Sequence, residues 1–279
     1  MQTCTFQLLV ILNKEKTMKY GFIGCGNMGG ALAKALSETT KDIMISDYLP
    51  EKAESLAKEL GCAYGNNQTV AEGCERIFLG VKPQVLRSVV EPIAPELAER
   101  KPLLISMAAG IKISQIEEMA GRVPVIRIMP NTPVSIGKGM ILYCANDLVT
   151  AEMLDSFVSD MQYAGSFDLI DEKLIDAGSA VSGCGPAFMY MFMEALADGG
   201  VTCGLPRDKA LRYAAETMAG AAELVLASGK HPGELKDAVC SPGGSTIAGV
   251  RALEENGLRA AGIDAVIKAY ERTKELSGS

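Results

Sequence analysis

The sequence predicts two architectures in one chain: α/β over the first part and all-α over the second. Three observations carry this. Short apolar runs alternate with amphipathic helical stretches from Met18 to about Asp171. A Gly-x-Gly-x-x-Gly run joins the first apolar run to the first helical stretch. From about Glu172 the strand signals stop and long helical stretches take over.

Strands are expected at Tyr20–Ile23, Ile43–Ser46, Arg76–Val81, Leu103–Met107, Val125–Met129, Met140–Cys144 and Ser166–Ile170. Helices are expected at Asn27–Ser37, Pro50–Leu60, Val85–Val90, Gln115–Met119 and Thr150–Tyr163. Ser114 with Glu117 fits a capping box at a helix start. Repeated β-α-β implies parallel strands, because a parallel crossover needs a connection of helix length. Helices then cover both faces of a mostly parallel sheet. In the second part, Pro186–Cys203 and Pro206–Ser228 read as long helices with proline near the first turn. Gly229 stands where a C-terminal cap belongs. Further helices fit Glu234–Val239, Thr246–Glu255 and Ala260–Glu275. The small residues Ala214, Ala215, Ala219, Gly220, Ala221 and Ala222 make a face that another helix can approach closely.

Length and composition set limits. At about 150 residues per domain, 279 residues make two domains. The expected division is a non-functional extension over 1–17, a dinucleotide-binding domain over 18–171 and a helical domain over 172–279. Residues 1–17 carry one short apolar run, Phe6–Leu12, with no basic region before it and no small-residue cleavage site after it. The formal charge of −7 argues against a nucleic-acid binder. No apolar run approaches the roughly 20 residues of a membrane span. Eight cysteines stand scattered without a C-x-x-C pair, and His231 is the only histidine. That pattern predicts no metal site. It predicts buried thiols in a reducing cytoplasm. It also disfavours Ser-His or Cys-His nucleophilic chemistry unless His231 is the base. A turn or cap before Pro232 suits His231 better.

The chemistry is expected at the carboxyl ends of the strands. In Gly24-Cys25-Gly26-Asn27-Met28-Gly29, Gly24 permits the tight turn and Gly26 lets backbone approach a pyrophosphate. Gly29 lets helix and strand pack closely, and the helix amides and dipole face the phosphates. This is a Rossmann-type dinucleotide site. Asp47 ends the second strand, 23 residues after Gly24. Its carboxylate can accept from the adenosine ribose and would repel a 2′-phosphate, which leans toward NADH over NADPH; the alternative is a cap before Pro50. Lys82 is either a cofactor contact or a solvated charge. Asn131, between two prolines, either meets nicotinamide or fixes a turn. Two glycine-rich knots, Ser182–Ala187 and Ser241–Thr246, each precede a helix. The amides of Gly244, Ser245 and Thr246 at a helix start suit a small carboxylate; the alternative is an ordinary capped loop.

Together these blocks resemble pyrroline-5-carboxylate reductase. The resemblance rests on GFIGCGNMGGALAKAL, GVKPQVL, ISMAAGI, RIMPNTP, LIDAGSAVSGCGPAF and the HPGELKDAVCSPGGSTIAGVRALEENGLRAA run. It covers Met18 to about Leu276. It implies reduction of L-1-pyrroline-5-carboxylate to L-proline by hydride from NAD(P)H, the last step of proline biosynthesis. It implies an active site between a Rossmann domain and a helical dimerisation domain. It also implies homo-oligomers, with interleaved dimers and in many members decamers of five dimers. By the same resemblance, Gly244, Ser245 and Thr246 hold the substrate carboxylate, and the Thr246 hydroxyl is the catalytic group beside the ring nitrogen. Asn67, Val81, Lys82, Pro83, Ala108 and Ala109 match cofactor-contacting positions. Asp47 departs from relatives that prefer NADPH, where a small polar or basic residue stands. Two other readings are another imine or β-hydroxyacid reductase, and a non-catalytic NAD(P) sensor. The β-hydroxyacid enzymes use an interdomain lysine, which Ser179–Phe188 lacks.

Overall fold

The computed structural model describes residues 18–277. The expected extension over 1–17 lies outside the described residues. The chain divides into two compact units between Ile175 and Asp176.

The first unit is one eight-stranded sheet with helices on both faces. Its strands are β1 (Met18–Ile23), β2 (Ile43–Ser46), β3 (Ala63–Tyr64), β4 (Cys74–Leu79), β5 (Leu103–Ser106), β6 (Val125–Met129), β7 (Gly139–Ala145) and β8 (Gly165–Leu169). Their order across the sheet is β3-β2-β1-β4-β5-β6-β7-β8. All neighbours are parallel except β6 and β7. Between those two the chain makes only a short 3-10 turn at Thr132–Ile136. A connection that short cannot cross over, so the pair runs antiparallel. The helices are α1 (Asn27–Ser37), α2 (Pro50–Leu60), α3 (Asn67–Gly73), α4 (Pro83–Val90), α5 (Ala94–Arg100), α6 (Ile113–Ala120) and α7 (Ala151–Asp160).

Alternation along each strand sorts the core into two layers. Tyr20, Phe22, Ile43, Ile45 and Phe78 pack with Leu32, Leu36, Leu56 and Phe157 of α1, α2 and α7. Ile23, Met44, Ile77, Leu79 and Leu104 pack with Val70, Leu86, Leu97 and Ile116 of α3 to α6. Phe22 and Phe78 stack at 4.3 Å between ring centroids. Beneath the first layer, Tyr20 donates its hydroxyl to Asp160 at 2.6 Å, and Arg76 donates to Tyr20 at 2.7 Å. Lys19 completes the cluster with an ion pair to Asp160. Burial pushes the Asp160 carboxyl upward, but bonds from Lys19 and Tyr20 outweigh it and hold the group below its ordinary value.

Several expectations need correction. The strand expected over Arg76–Val81 runs over Cys74–Leu79, so Gly80 and Val81 lie beyond its end. The helix expected from Thr150 to Tyr163 stops at Asp160 and gives way to a 3-10 turn, Gln162–Ala164. The capping box at Ser114 and Glu117 is not formed. α6 starts two residues earlier than expected, at Ile113, and the Lys112 amide donates to the Gln115 side chain at 2.8 Å. Buried thiols hold only in part: Cys74 and Cys144 are buried, four others are half-buried and Cys203 is exposed.

The linking helix α8 (Glu172–Ser182) straddles the division between the units. The second unit continues with α9 (Gly185–Thr202), α10 (Arg207–Ser228), α11 (Pro232–Ala238), α12 (Ser245–Glu255) and α13 (Leu258–Ser277). Gly229 ends α10 in the left-handed conformation, φ 63°. His231 caps α11: its Nδ1 accepts from the Gly233 amide at 3.1 Å. A Cβ on Gly200 would meet the Ala210 Cβ at 3.2 Å, so α9 and α10 approach closely there. Of the small residues expected to make a packing face, only Ala214 is buried. Among the described residues of this unit, only Ala180, Ala197, Ala210 and Ala214 are buried. Leu226 is 84% exposed and Met191 70%. A helical unit of this size normally buries a core of large side chains. This one exposes them.

Candidate functional site

The strand order turns at β1 and β4: from β1 the chain winds first outward through β2 and β3, then returns to β4 on the other side. The crevice outside the carboxyl ends at such a reversal is where open α/β sheets bind ligands. Gly24 leaves β1 with φ +96°, a conformation that suits glycine, and its amide donates to Ser46 O at 2.8 Å. A Cβ on Gly29 would stand 2.2 Å from Gly24 O, so only glycine lets α1 seat against the turn. A Cβ on Gly80 would likewise meet Gly24 O at 2.5 Å. Gly26 differs. A Cβ there would meet nothing within 4 Å. Protein packing does not require glycine at that point, and the open space fits the close approach of a pyrophosphate to backbone. Asn27 and Met28 follow in the first turn of α1, where amides lack partners within the helix.

Asp47 stands beyond β2, at the rim of a cavity of about 750 Å³ that Ser46, Tyr48, Tyr64 and Asn67 also line. Its Oδ2 accepts from the Cys25 amide at 2.8 Å and from the Cys25 thiol at 3.3 Å. Its Oδ1 accepts from the Leu49 amide at 3.1 Å. Burial raises the Asp47 carboxyl, but the Cys25 and Leu49 amides outweigh it and hold it below its ordinary value. The carboxylate therefore stays charged at the edge of this cavity. Asp47 is not the cap of α2; that position belongs to Leu49. Asn67 opens α3, and its Oδ1 accepts from the buried Ser46 hydroxyl at 2.6 Å. This bond fixes the carboxamide and leaves its NH2 uncommitted to Ser46.

The remaining expected cofactor positions lie on neighbouring strand ends. Val81, Lys82 and Pro83 follow β4, with Lys82 exposed as the N-terminal cap residue of α4. Ala108 and Ala109 follow β5. The structure thus brings Gly24 to Gly29, Asp47, Asn67, Val81 to Pro83 and Ala108 to Ala109 to one end of the sheet. Asn131 fixes a turn: its Oδ1 accepts from the Met140 amide at 2.9 Å.

Gly244, Ser245 and Thr246 open α12, with Gly244 as its cap residue. The Gly244 amide is used within the loop, donating to Ser241 O at 3.0 Å. Ser245 and Thr246 are exposed in the first turn, where the helix dipole favours an anion. The other knot ends α8: the amides of Gly183 and Cys184 both donate to Ser179 O.

Sequence reasoning missed Ser46, Tyr48 and the Cys25 side chain. Ser46 carried a signal, a hydroxyl ending the apolar strand Ile43-Met44-Ile45. Tyr48, 96% exposed beside Asp47, gave none that separates it from a surface tyrosine. Among the described residues no cluster of His, Cys, Asp and Glu could hold a metal ion, and no helix is long and apolar enough to cross a membrane.

Two family models match the chain. One, pyrroline-5-carboxylate reductase dimerisation, spans residues 172–276. The other, NADP oxidoreductase coenzyme F420-dependent, spans 19–110. A pyrroline-5-carboxylate reductase of Pisum sativum is 39% identical over 97% of this chain and 100% of its own length. One of Escherichia coli is 40% identical over 94% of this chain and 99% of its own. The crystal structure of Plasmodium falciparum pyrroline carboxylate reductase with NADP bound superposes with a TM-score of 0.84 at 33% identity. It covers 95% of this chain and 99% of that one.

Proposed function

This chain is a member of the pyrroline-5-carboxylate reductase family, and we propose that it reduces L-1-pyrroline-5-carboxylate to L-proline with a reduced nicotinamide cofactor. The observation that carries the reading is identity of 39–40% to reductases of that name over nearly the whole chain. When bound, the nicotinamide supplies the hydride that C5 of the cyclic imine accepts.

The chain's own residues bind, orient and move one proton. Gly24 turns the chain, its amide bonded to Ser46 O, so that Gly26 and the first-turn amides of α1, at Asn27, Met28 and Gly29, hold the pyrophosphate. Asp47 accepts from the adenosine ribose, and Asn67 uses its NH2 toward the same end of the cofactor. Val81, Lys82, Pro83, Ala108 and Ala109 wall the nicotinamide half. The amides of Ser245 and Thr246 hold the substrate carboxylate, and Gly244, its own amide bonded to Ser241 O, turns the chain into them. The Thr246 hydroxyl orients the ring nitrogen and passes it a proton while accepting one from solvent water. A protonated imine is already electrophilic, so correct placement of C5 lowers the barrier by several kcal/mol without a strong base.

Asp47 also sets cofactor choice. A fixed negative charge repels a 2′-phosphate, so NADH is the preferred donor. The helical unit supports a dimer, because large apolar side chains such as Met191 and Leu226 stand exposed in the single chain. Two chains interleave these units, and light scattering distinguishes that dimer from a decamer of five such pairs. Seven free cysteines among the described residues suit a reducing cytoplasm.

The test uses cofactor deuterated at the transferring carbon of its nicotinamide. Proline carrying deuterium at C5 is expected. Cofactor oxidation without labelled proline would move the reading to another imine substrate.

A further inference from the structure

We infer that Cys25 is a specificity-determining residue: its thiol occupies an acceptor position on Asp47 and so limits the grip of that carboxylate on the adenosine ribose. The inference rests on the reading of Asp47 as the ribose acceptor.

A carboxylate offers about four acceptor positions, two on each oxygen. Three are in use. Oδ2 takes the Cys25 amide at 2.8 Å and the Cys25 thiol at 3.3 Å, and Oδ1 takes the Leu49 amide at 3.1 Å. The two backbone bonds alone fix the side chain, one to each oxygen. The thiol is therefore not needed to hold Asp47 in place. What it does is fill Oδ2. A ribose presents two adjacent hydroxyls, at 2′ and 3′, and a carboxylate holds both best with one acceptor position free on each oxygen. Here only Oδ1 has one to spare. Burial, and after it the bond to Asp47, push the Cys25 thiol up to about 12, so it remains a protonated donor at any working pH.

A 2′-phosphate gains nothing from a freed acceptor position, whereas a ribose hydroxyl does. The effect of the thiol thus reads out in the ratio of the two cofactors rather than in overall activity. That ratio is taken within one protein, so it is insensitive to the fraction correctly folded.

The experiment measures kcat/KM for NADH and for NADPH, at saturating pyrroline-5-carboxylate, in wild type, Cys25→Ala, Cys25→Ser and Asp47→Ala. In Cys25→Ala the NADH-to-NADPH ratio is expected to rise about 3- to 10-fold, the yield of one additional hydrogen bond. The change should lie in KM more than in kcat. Cys25→Ser should keep the wild-type ratio, because its hydroxyl donates to the same oxygen. A Cys25→Ala ratio that stays level or falls, while Asp47→Ala shifts it toward NADPH, overturns the role of Cys25 and leaves Asp47 as the ribose acceptor. A ratio unmoved in Asp47→Ala overturns the reading of Asp47 itself.

Discussion

Gly29 and Gly26 stand three residues apart in one motif, yet the structure gives them opposite duties. Alanine at Gly29 would place its methyl 2.2 Å from Gly24 O. That oxygen belongs to a turn wedged against Gly80, so neither side can yield as a flexible side chain would. Overpacking of this kind costs about 1–3 kcal/mol. At about 2–4 °C per kcal/mol for a unit of this size, Gly29→Ala should lower Tm by roughly 2–12 °C. Alanine at Gly26 meets nothing within 4 Å, and φ −64° with ψ −169° is open to any residue. The loss of glycine's freedom in the unfolded chain gains about 0.4–1 kcal/mol. The weaker helix cap costs about as much, so Tm should barely move. The methyl instead fills the space assigned to the pyrophosphate. NADH affinity should fall at least about tenfold, roughly 1.4 kcal/mol. Thermal denaturation and a fluorescence titration with NADH on both variants give the four numbers needed. If Gly26→Ala lost as much Tm as Gly29→Ala, or bound NADH as wild type does, the division of roles would be refuted.

Thr246→Ala should lower kcat while the dissociation constant for NADH stays within about twofold; wild-type turnover in that variant would remove the hydroxyl from the mechanism. Met191→Glu places a charge on a residue 70% exposed in the single chain but assigned to the dimer interface, so light scattering should report the monomer mass. An unchanged mass would take Met191 out of the interface. Asp160 titrates below its ordinary value, so its stabilising effect is complete above the unfolded carboxyl value, about 3.9. That contribution is lost as pH falls through the lowered folded value. Asp160→Asn should therefore flatten the fall in urea midpoint below about pH 4, whereas parallel curves for the two proteins would contradict the assignment.

Most of the fold was legible because period and punctuation agreed. β2, β6, α1 and α2 fall where the apolar runs and the residues at their ends put them. The short elements β3, α3 and α5 escaped because two to seven residues carry too little periodicity to register. The α6 start was misread because Gln115, rather than Glu117, reaches back to the chain before the helix. At the site, the glycine positions were readable because each answers a local steric demand. The Leu49 amide is a local partner of Asp47, two residues on. The Cys25 partner was not readable: it comes from the turn after β1, 22 residues away, and no spacing in the sequence reports a contact made by the sheet's own geometry. The helical unit hid its most telling property for a related reason: helical periodicity marks which faces are apolar, not whether the same chain covers them.

This chain turns one reduced nicotinamide and one pyrroline-5-carboxylate into one proline, and the role proposed for Asp47 makes NADH the preferred donor. The direct measurement is loss of nicotinamide absorbance with NADH and NADPH in parallel, with proline quantified in the same samples. Proline equal to the cofactor oxidised, with the higher kcat/KM for NADH, is the predicted result. Folded protein that oxidises neither cofactor in the presence of pyrroline-5-carboxylate would contradict the account.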